Sequence, residues 1–232
     1  MVMRKGTEGK RGAKETMRSN IKDYILQQII SGSYRPGERI VETRLARELN
    51  VSQAPVREAM LELASSDILE ERPFSGTYVR SISVEEIDDI FEIRAFIEQY
   101  AAKRAAVSAT REQFAQMEEV LRKMDPHTDI SDFVDLDMRF HELIMDAAGS
   151  PSLKRAWSIL RLTEWTYLSA YITKASLDDL IEQHRTILQY LMSRDETGAG
   201  AYMLLHIKGF GKELISLVGS RIEAEKAEEA ES

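Results

Sequence analysis

The chain has 232 residues, 43% hydrophobic and 30% charged, enough to bury one large core or two modest ones, and the length leans toward two domains. It contains no cysteine, which excludes disulfides, thiolate metal sites and cysteine nucleophiles and suits a reducing compartment. The formal net charge is −8, unevenly placed: residues 1–80 carry 14 Lys and Arg against 11 Asp and Glu, and residues 81–232 carry 17 against 28, as expected for a nucleic-acid-binding module joined to a domain that does not bind DNA.

No apolar run approaches the roughly 20 residues that cross a bilayer. Met1–Lys14 is too polar to supply the apolar segment of a secretory signal, so no membrane partner is expected and the cytoplasm is the default location. Residues 1–16 hold Gly, Lys and Arg without apolar periodicity and read as a flexible basic arm. From Ile21 the apolar residues Ile21, Ile25 and Ile29, with Leu26 and Ile30, have helical spacing, and Ser31-Gly32-Ser33 ends that helix. Arg35-Pro36-Gly37-Glu38 reads as a turn.

A short helix fits Glu42–Leu49 and stops at Asn50, a residue that tolerates the left-handed conformation. Ser52 is placed to cap a third helix, with Pro55 in its first turn and Val56, Ala59, Met60 and Leu63 as an apolar stripe. Two β-prone runs, 68–72 and 77–80, flank Pro73-Phe74-Ser75-Gly76 and predict a hairpin, so the region 17–81 reads as a winged helix-turn-helix. Ser83-Val84-Glu85-Glu86 matches a capping box, and from there only helical patterns follow. They run roughly 84–107, 111–124, 131–148, 153–172, 177–193 and 196–220. The fold class is therefore mainly α, a winged helix-turn-helix followed by an all-α bundle over 82–221, with 222–232 as a charged tail.

A recognition helix anchors one face on its own domain and offers polar groups from its first turns to base edges. With the apolar stripe of the third helix turned inward, Gln53, Ala54 and Arg57 are left outward at its N-terminal end. Gln pairs with adenine, and Arg with guanine or phosphate. In the wing loop Ser75 and Gly76 allow close backbone approach to DNA, with Arg72 and Arg80 alongside.

The run Gly32-x3-Pro36-Gly37-Glu38-x-Ile40-x-Glu42-x2-Leu45-Ala46-x3-Asn50-Val51-Ser52-x2-Pro55-Val56-Arg57-Glu58-Ala59 resembles the GntR family of bacterial winged-helix regulators. The resemblance covers residues 21–79, and the helical remainder is similar to the FCD ligand-sensing domain of the family's fatty-acid-regulator-like branch. Relatives usually carry Arg where this chain has Gln53 and often a basic residue where it has Ser75, which implies an altered operator or weaker base contacts. Arg57 matches the family pattern and is expected to be the main DNA contact, with Arg44 and Arg47 on phosphates.

Four histidines occur, at 127, 141, 184 and 206. Asp137 and His141 lie one helical turn apart on one face, as two ligands of one ion must, while each histidine taken alone is more often a hydrogen-bonded core residue. The pattern Asp137-x3-His141, His184-Arg185-Thr186-Ile187-Leu188 and His206 is similar to that of FCD domains. The resemblance implies that Asp137, His141, His184 and His206 are metal ligands, for Zn, Ni, Mn, Fe or Co. His127 reads as a loop residue. Arg94 matches an arginine of the family's first sensor helix and is expected either to bind an anionic effector, a small organic acid in this branch, or to pair with Glu98 one turn on. Trp157, Trp165, Tyr167 and Tyr171 read as core residues of the fourth sensor helix.

These features predict a homodimeric repressor on a pseudo-palindromic double-stranded DNA operator, controlled by a small organic acid at a metal-containing site, and not an enzyme. Two rival readings are a metal-dependent hydrolase built on the same His/Asp site and a constitutive DNA binder with a structural metal. Against the hydrolase, Met145 stands where the His-Glu-x-x-His motif starting at His141 would need its second histidine.

Overall fold

The computed structural model describes residues 8–160, 162–172 and 177–230. The chain forms two compact units with the boundary between Ile82 and Ser83. Among the described residues no helix is long and apolar enough to cross a membrane.

The first unit holds α1 (Glu8–Ile30), β1 (Arg39–Ile40), α2 (Glu42–Glu48), α3 (Gln53–Ser65), β2 (Leu69–Arg72) and β3 (Gly76–Val79). Its core is where the apolar spacing put it: Ile21, Ile25 and Leu26 of α1, Leu45 of α2, and Val56, Ala59, Met60 and Leu63 of α3 are all buried. Asn50 takes φ 54° and lets the chain reverse between α2 and α3. Ser52 stands at the N-cap of α3 with extended backbone, but its side chain makes no capping hydrogen bond. The strands form one antiparallel sheet in the order β1-β3-β2, with Arg39 opposite Tyr78 and Arg72 opposite Gly76. β1 was not foreseen, because two residues carry no periodicity.

α1 begins at Glu8, inside the segment expected as an arm; residues 1–7 lie outside the described residues. The Glu-Gly-Lys-Arg-Gly-Ala-Lys-Glu stretch lacks an apolar face, yet Glu, Lys, Arg and Ala are good helix formers, so propensity extends the helix where periodicity is silent.

The second unit is entirely helical among the described residues: α4 (Val84–Ser108), α5 (Arg111–Lys123), α6 (Ile130–Ala147), α7 (Pro151–Ile159), α8 (Leu162–Ile172), α9 (Leu177–Met192) and α10 (Glu196–Ala230). Ser83 Oγ accepts from Glu86 N at 3.2 Å to start α4, and Thr110 and Gln113 form a reciprocal capping box at α5. α4 and α10 run antiparallel in long contact: a Cβ on Gly200 would touch Lys103, one on Gly211 would touch Phe91 and one on Gly219 would meet Val84. Ala95, Ala102, Ala105 and Ala106 keep the buried side of α4 narrow, which lets its neighbours approach closely.

Two sequence expectations need correction here. The helix expected over 153–172 is two, α7 and α8, and Arg161 between them lies outside the described residues. No Pro or Gly marks that break; α7 buries only Trp157, whereas α8 is buried on nearly every side. The segment read as a charged tail continues α10 to Ala230, because Glu, Ala and Lys favour a helix that is already nucleated; residues 231–232 lie outside the described residues, and of Tyr171 only the backbone is described.

Candidate metal centre and nucleic-acid interface

Three helices bring the sensor residues together. α6 is started by Asp129, whose carboxylate accepts from Ser131 N at 3.0 Å, and its apolar face (Phe133, Val134, Phe140, Leu143, Ile144) seats it in the core. Asp137 and His141 lie on that same inward face. His184 replaces an apolar residue in the α9 stripe Leu180, Ile181, Ile187, Leu188 and Leu191; His206 does so in the α10 stripe Ala199, Met203, Ile207 and Phe210. All four side chains are buried, and one ligand atom from each lies within 4.8 Å of all the others.

Each imidazole is tethered through Nδ1. His184 Nδ1 is 2.7 Å from the Leu180 carbonyl oxygen, His206 Nδ1 is 2.8 Å from Gln183 Oε1, and His141 Nδ1 rests against Glu98 Oε2. Nδ1–H donated to Leu180 and Gln183 leaves an Nε2 lone pair on His184 and His206, the tautomer a metal requires, and the close Glu98 carboxylate favours a proton on His141 Nδ1 as well. The inward atoms then crowd: His141 Nε2 is 3.3 Å from His184 Nε2, and His184 Nε2 is 3.0 Å from Asp137 Oδ1. Asp137 Oδ2 is buried without a hydrogen-bond partner. A proton on His184 Nε2 would relieve one of these contacts and leave the others; a cation among them relieves all. Three nitrogens and a carboxylate are also a donor set that divalent transition metals prefer, so the residues fit the ion.

Burial pushes the Asp137 carboxyl up, but the hydrogen bond with His184 and the electrostatic influence of His141, His184 and Arg94 outweigh it and hold the group well below the usual carboxylate range. Burial also drives His206 well below an ordinary imidazole, so it is neutral and available as a ligand.

Behind the four ligands lies a buried polar network that sequence reasoning saw only in part. Glu98 Oε1 accepts from Arg94 Nε at 2.7 Å and from Trp157 Nε1 at 2.9 Å, while its other oxygen faces His141. Burial opposes charge on Glu98, and Arg94, His141 and Trp157 overcome it, so the carboxyl titrates well below its usual range. Arg94 Nη1 donates to Thr166 Oγ1 at 3.0 Å. Arg94 is thus held in the i, i+4 ion pair, the second of its two sequence readings, and is 1% exposed. The role of Glu98 toward His141, and that of Gln183 toward His206, went unseen: both contacts join different helices, and the only sequence signals were Glu98 one turn beyond Arg94 and Gln183 next to His184. His127 sits in a turn with its N–H on Asp125 Oδ1 at 2.8 Å, outside the group.

In the first unit, Gln53, Ala54 and Arg57 are exposed at the start of α3, and Arg44 and Arg47 are exposed on α2. Arg57 makes a bidentate pair with Glu42, Nε to Oε1 at 3.0 Å and Nη2 to Oε2 at 2.8 Å, while its side chain stays 61% exposed. In the wing, Ser75 Oγ lies 2.5 Å from Tyr78 OH, and Arg72 stacks on the Tyr78 ring at 4.1 Å. Gly76 has φ 118°, a backbone conformation that strains any L side chain; the Arg39 guanidinium, 2.9 Å from a Cβ there, is the end of a flexible chain and can swing aside. Phe74, not singled out from sequence, is fully exposed at the tip with φ 60°.

Residues 17–79 match the model of bacterial regulatory proteins of the gntR family, and residues 89–209 match that of the FCD domain. The chain is 31% identical over 207 residues to a probable D-xylose utilization operon transcriptional repressor of Paenarthrobacter nicotinovorans, covering 87% of this chain and 90% of that protein. This chain belongs to the gntR family and carries an FCD domain. The regulator is also 29% identical over 192 residues to the transcriptional repressor RspR of Escherichia coli K12, covering 79% and 82% of the two chains. Its fold matches that of McbR/YncC from E. coli with a TM-score of 0.60 at 23% identity, over 89% of this chain and 98% of that one. These proteins are transcription regulators and not enzymes, and the hydrolase reading falls with them. The FCD match contains all four candidate ligands together with Arg94, Glu98 and Gln183.

Proposed function

We propose that this gntR-family regulator is a homodimeric repressor of a pseudo-palindromic operator whose affinity is set by a small organic acid at a metal-containing site in the second unit. The observation that carries the sensory half is the convergence of three buried imidazoles on the Asp137 carboxylate, whose Oδ1 lies 3.0 Å from His184 Nε2 and whose Oδ2 has no hydrogen-bond partner. Asp137, His141, His184 and His206 hold the ion; Zn, Ni, Mn, Fe and Co all suit the donors. Once bound, a divalent ion supplies coordination positions beyond the four protein ligands, open to water or to a carboxylate oxygen of the acid.

The chain's own residues do the rest. Leu180, Gln183 and Glu98 hold the imidazoles in the ligand tautomer, so no reorientation is needed when the ion enters. Arg94 is the cation for the acid's second charge. Its planar fork is spent on Glu98 and Thr166, so the acid competes with Glu98 for it, and a gain of Arg94 by the effector is a change in the α4–α8 contact.

On the DNA side, Gln53, Ala54 and Arg57 read base edges from the start of α3. Arg44 and Arg47 hold phosphates, and Ser75 and Gly76 bring the wing backbone to a neighbouring groove. The cytoplasm is the matching location, since a repressor works where the DNA is.

The test starts by selecting duplexes from a random pool on the purified protein. The selected site is then titrated with metal-loaded and metal-stripped protein in the presence of a panel of small mono- and dicarboxylic acids. The proposal expects at least one acid to weaken binding tenfold or more, only in the loaded form. Affinity unmoved by metal or by any acid would return the ion to a structural role and leave a constitutive DNA binder.

A further inference from the structure

Among the described residues, those other than glycine with a positive φ are Asn50, Asp67, Phe74 and Arg194. Asn and Asp tolerate that conformation through local hydrogen bonds of a short polar side chain. Arg194 is held in it by donating to the Ala106 and Ala109 carbonyl oxygens at 3.0 and 2.8 Å. Phe74, at φ 60°, has no such compensation. Ser75 N donates to Arg72 O at 3.0 Å, so residues 72–75 close a β-turn, with Pro73 fixing a negative φ at its second position. Phe74 then occupies the third position, which belongs to Gly or Asn when φ is positive. Its ring is fully exposed, so packing gives nothing back for the strain. A strained, bulky, unpacked aromatic at a turn that glycine would fill at no cost points to a use outside the fold.

The tip that carries this ring is braced. Ser75 Oγ lies 2.5 Å from Tyr78 OH, the Arg72 guanidinium stacks on the Tyr78 ring at 4.1 Å, and Arg72 stands opposite Gly76 in the β2–β3 ladder. Both flanks of Pro73-Phe74 are thus tied to β3, and the ring has little freedom to lose when it is bound. Its surroundings carry one sign of charge. Residues 72–80 include Arg72 and Arg80 and neither Asp nor Glu, and Arg39 of β1 brings a third guanidinium beside Gly76. Arg72 stays half exposed even while it pairs with Glu70. An apolar side chain ringed by arginines is complementary to a nucleic-acid duplex, whose phosphates lie outside and whose stacked bases lie within.

We infer that Phe74 is a wedge: its ring enters the minor groove of the operator and pushes between two adjacent base pairs, unstacking them and bending the duplex. The inference rests on the operator binding proposed above and assigns the wing a task beyond backbone approach by Ser75 and Gly76. A phenyl ring reads no hydrogen-bond pattern, so it discriminates through the cost of opening the step it enters. Pyrimidine–purine steps open most easily, and the wing therefore selects such a step at a fixed distance from the bases read by α3. The strain at Phe74 is the folded state's contribution to holding the ring at the tip, where an unstrained residue would leave the groove empty.

The test compares the full-length protein with Phe74→Gly and Phe74→Asn, two residues that suit the positive φ and lack the ring. Melting temperature is measured first, then affinity for the selected operator duplex, then permanganate oxidation of thymines in duplexes that carry a TA step at successive positions of the operator flanks. Permanganate attacks thymines that have lost their stacking. The expected result is a melting temperature equal to or above wild type for both variants, an operator affinity lower by about tenfold or more, and a thymine in the flank that is hyper-reactive in the wild-type complex and protected again with either variant. Variants that bind the operator within twofold of wild type, or a wild-type complex without a hyper-reactive thymine at any position, would overturn the wedge and leave operator binding standing. A wild-type protein that selects no duplex at all would overturn the operator reading, and the wedge with it.

Discussion

The Nε2 atoms of His141 and His184 lie 3.3 Å apart, and the Nδ1 of each ring faces an acceptor on the opposite side, a Glu98 oxygen for His141 and the Leu180 carbonyl for His184. Two imidazoles held that way present lone pair to lone pair in a buried site, an arrangement that costs free energy until a cation enters. Glu98 is the costliest of the supporting groups, a carboxylate at 1% exposure kept charged by Arg94, His141 and Trp157.

Replacing Glu98 with Gln therefore tests the support without removing a ligand. The amide can still accept from Trp157, but it leaves Arg94 without its counter-charge and lowers the basicity of His141. Metal affinity, read by competition with a chromogenic chelator, should fall about 10- to 100-fold, the usual cost of losing an outer-shell partner. Stability should fall by about 3 kcal/mol or more, because one member of a buried ion pair is left behind. Unchanged metal affinity would show that the tether on His141 is incidental.

The DNA-binding half makes a separate prediction. Arg57→Ala should abolish measurable binding to the selected operator while leaving the thermal unfolding transition within a few degrees of wild type, since the side chain is 61% exposed. Arg57→Lys keeps the charge but loses the fork and should recover little. Glu42→Ala frees the guanidinium and removes its orientation; weaker sequence discrimination with preserved nonspecific binding is expected, measured as the ratio of operator to random-duplex affinity.

Two glycines two residues apart in α10 should respond oppositely. Nothing lies within 4 Å of a Cβ at Gly209, so Gly209→Ala gains helix propensity and should stabilise by up to about 1 kcal/mol. At Gly211 the added carbon would stand 2.6 Å from Cγ and 2.8 Å from Cβ of the buried Phe91, near the root of a side chain that cannot swing aside. Overpacking of that kind costs about 1–3 kcal/mol and outweighs the propensity gain. Urea unfolding of the two variants reads both signs, and a stabilised Gly211→Ala would show that α4 and α10 are less closely packed than described.

Much of this architecture was legible in the residues. The apolar stripes of α3, α6 and α9 placed the cores, Asn50 marked the turn, and Asp137 with His141 announced one shared face. The family resemblance supplied the rest of the ligand set, which spacing within one helix could not connect to His184 and His206. What stayed hidden were contacts between helices and departures from pattern: the second oxygen of Glu98, the Gln183 tether, the capture of Arg57 by Glu42, and the break between α7 and α8, which no Gly or Pro signals. Periodicity reports which face of an element is buried and is silent about which side chains meet there.

The most direct test of the metal-dependent sensor is elemental analysis of the purified chain beside His141→Ala, followed by thermal-shift screening of small carboxylic acids against both. The account predicts one divalent transition metal per chain, lost in the variant together with every acid-dependent rise in melting temperature. A wild-type protein that remains metal-free after incubation with each candidate ion, or a variant that keeps full occupancy, would contradict it.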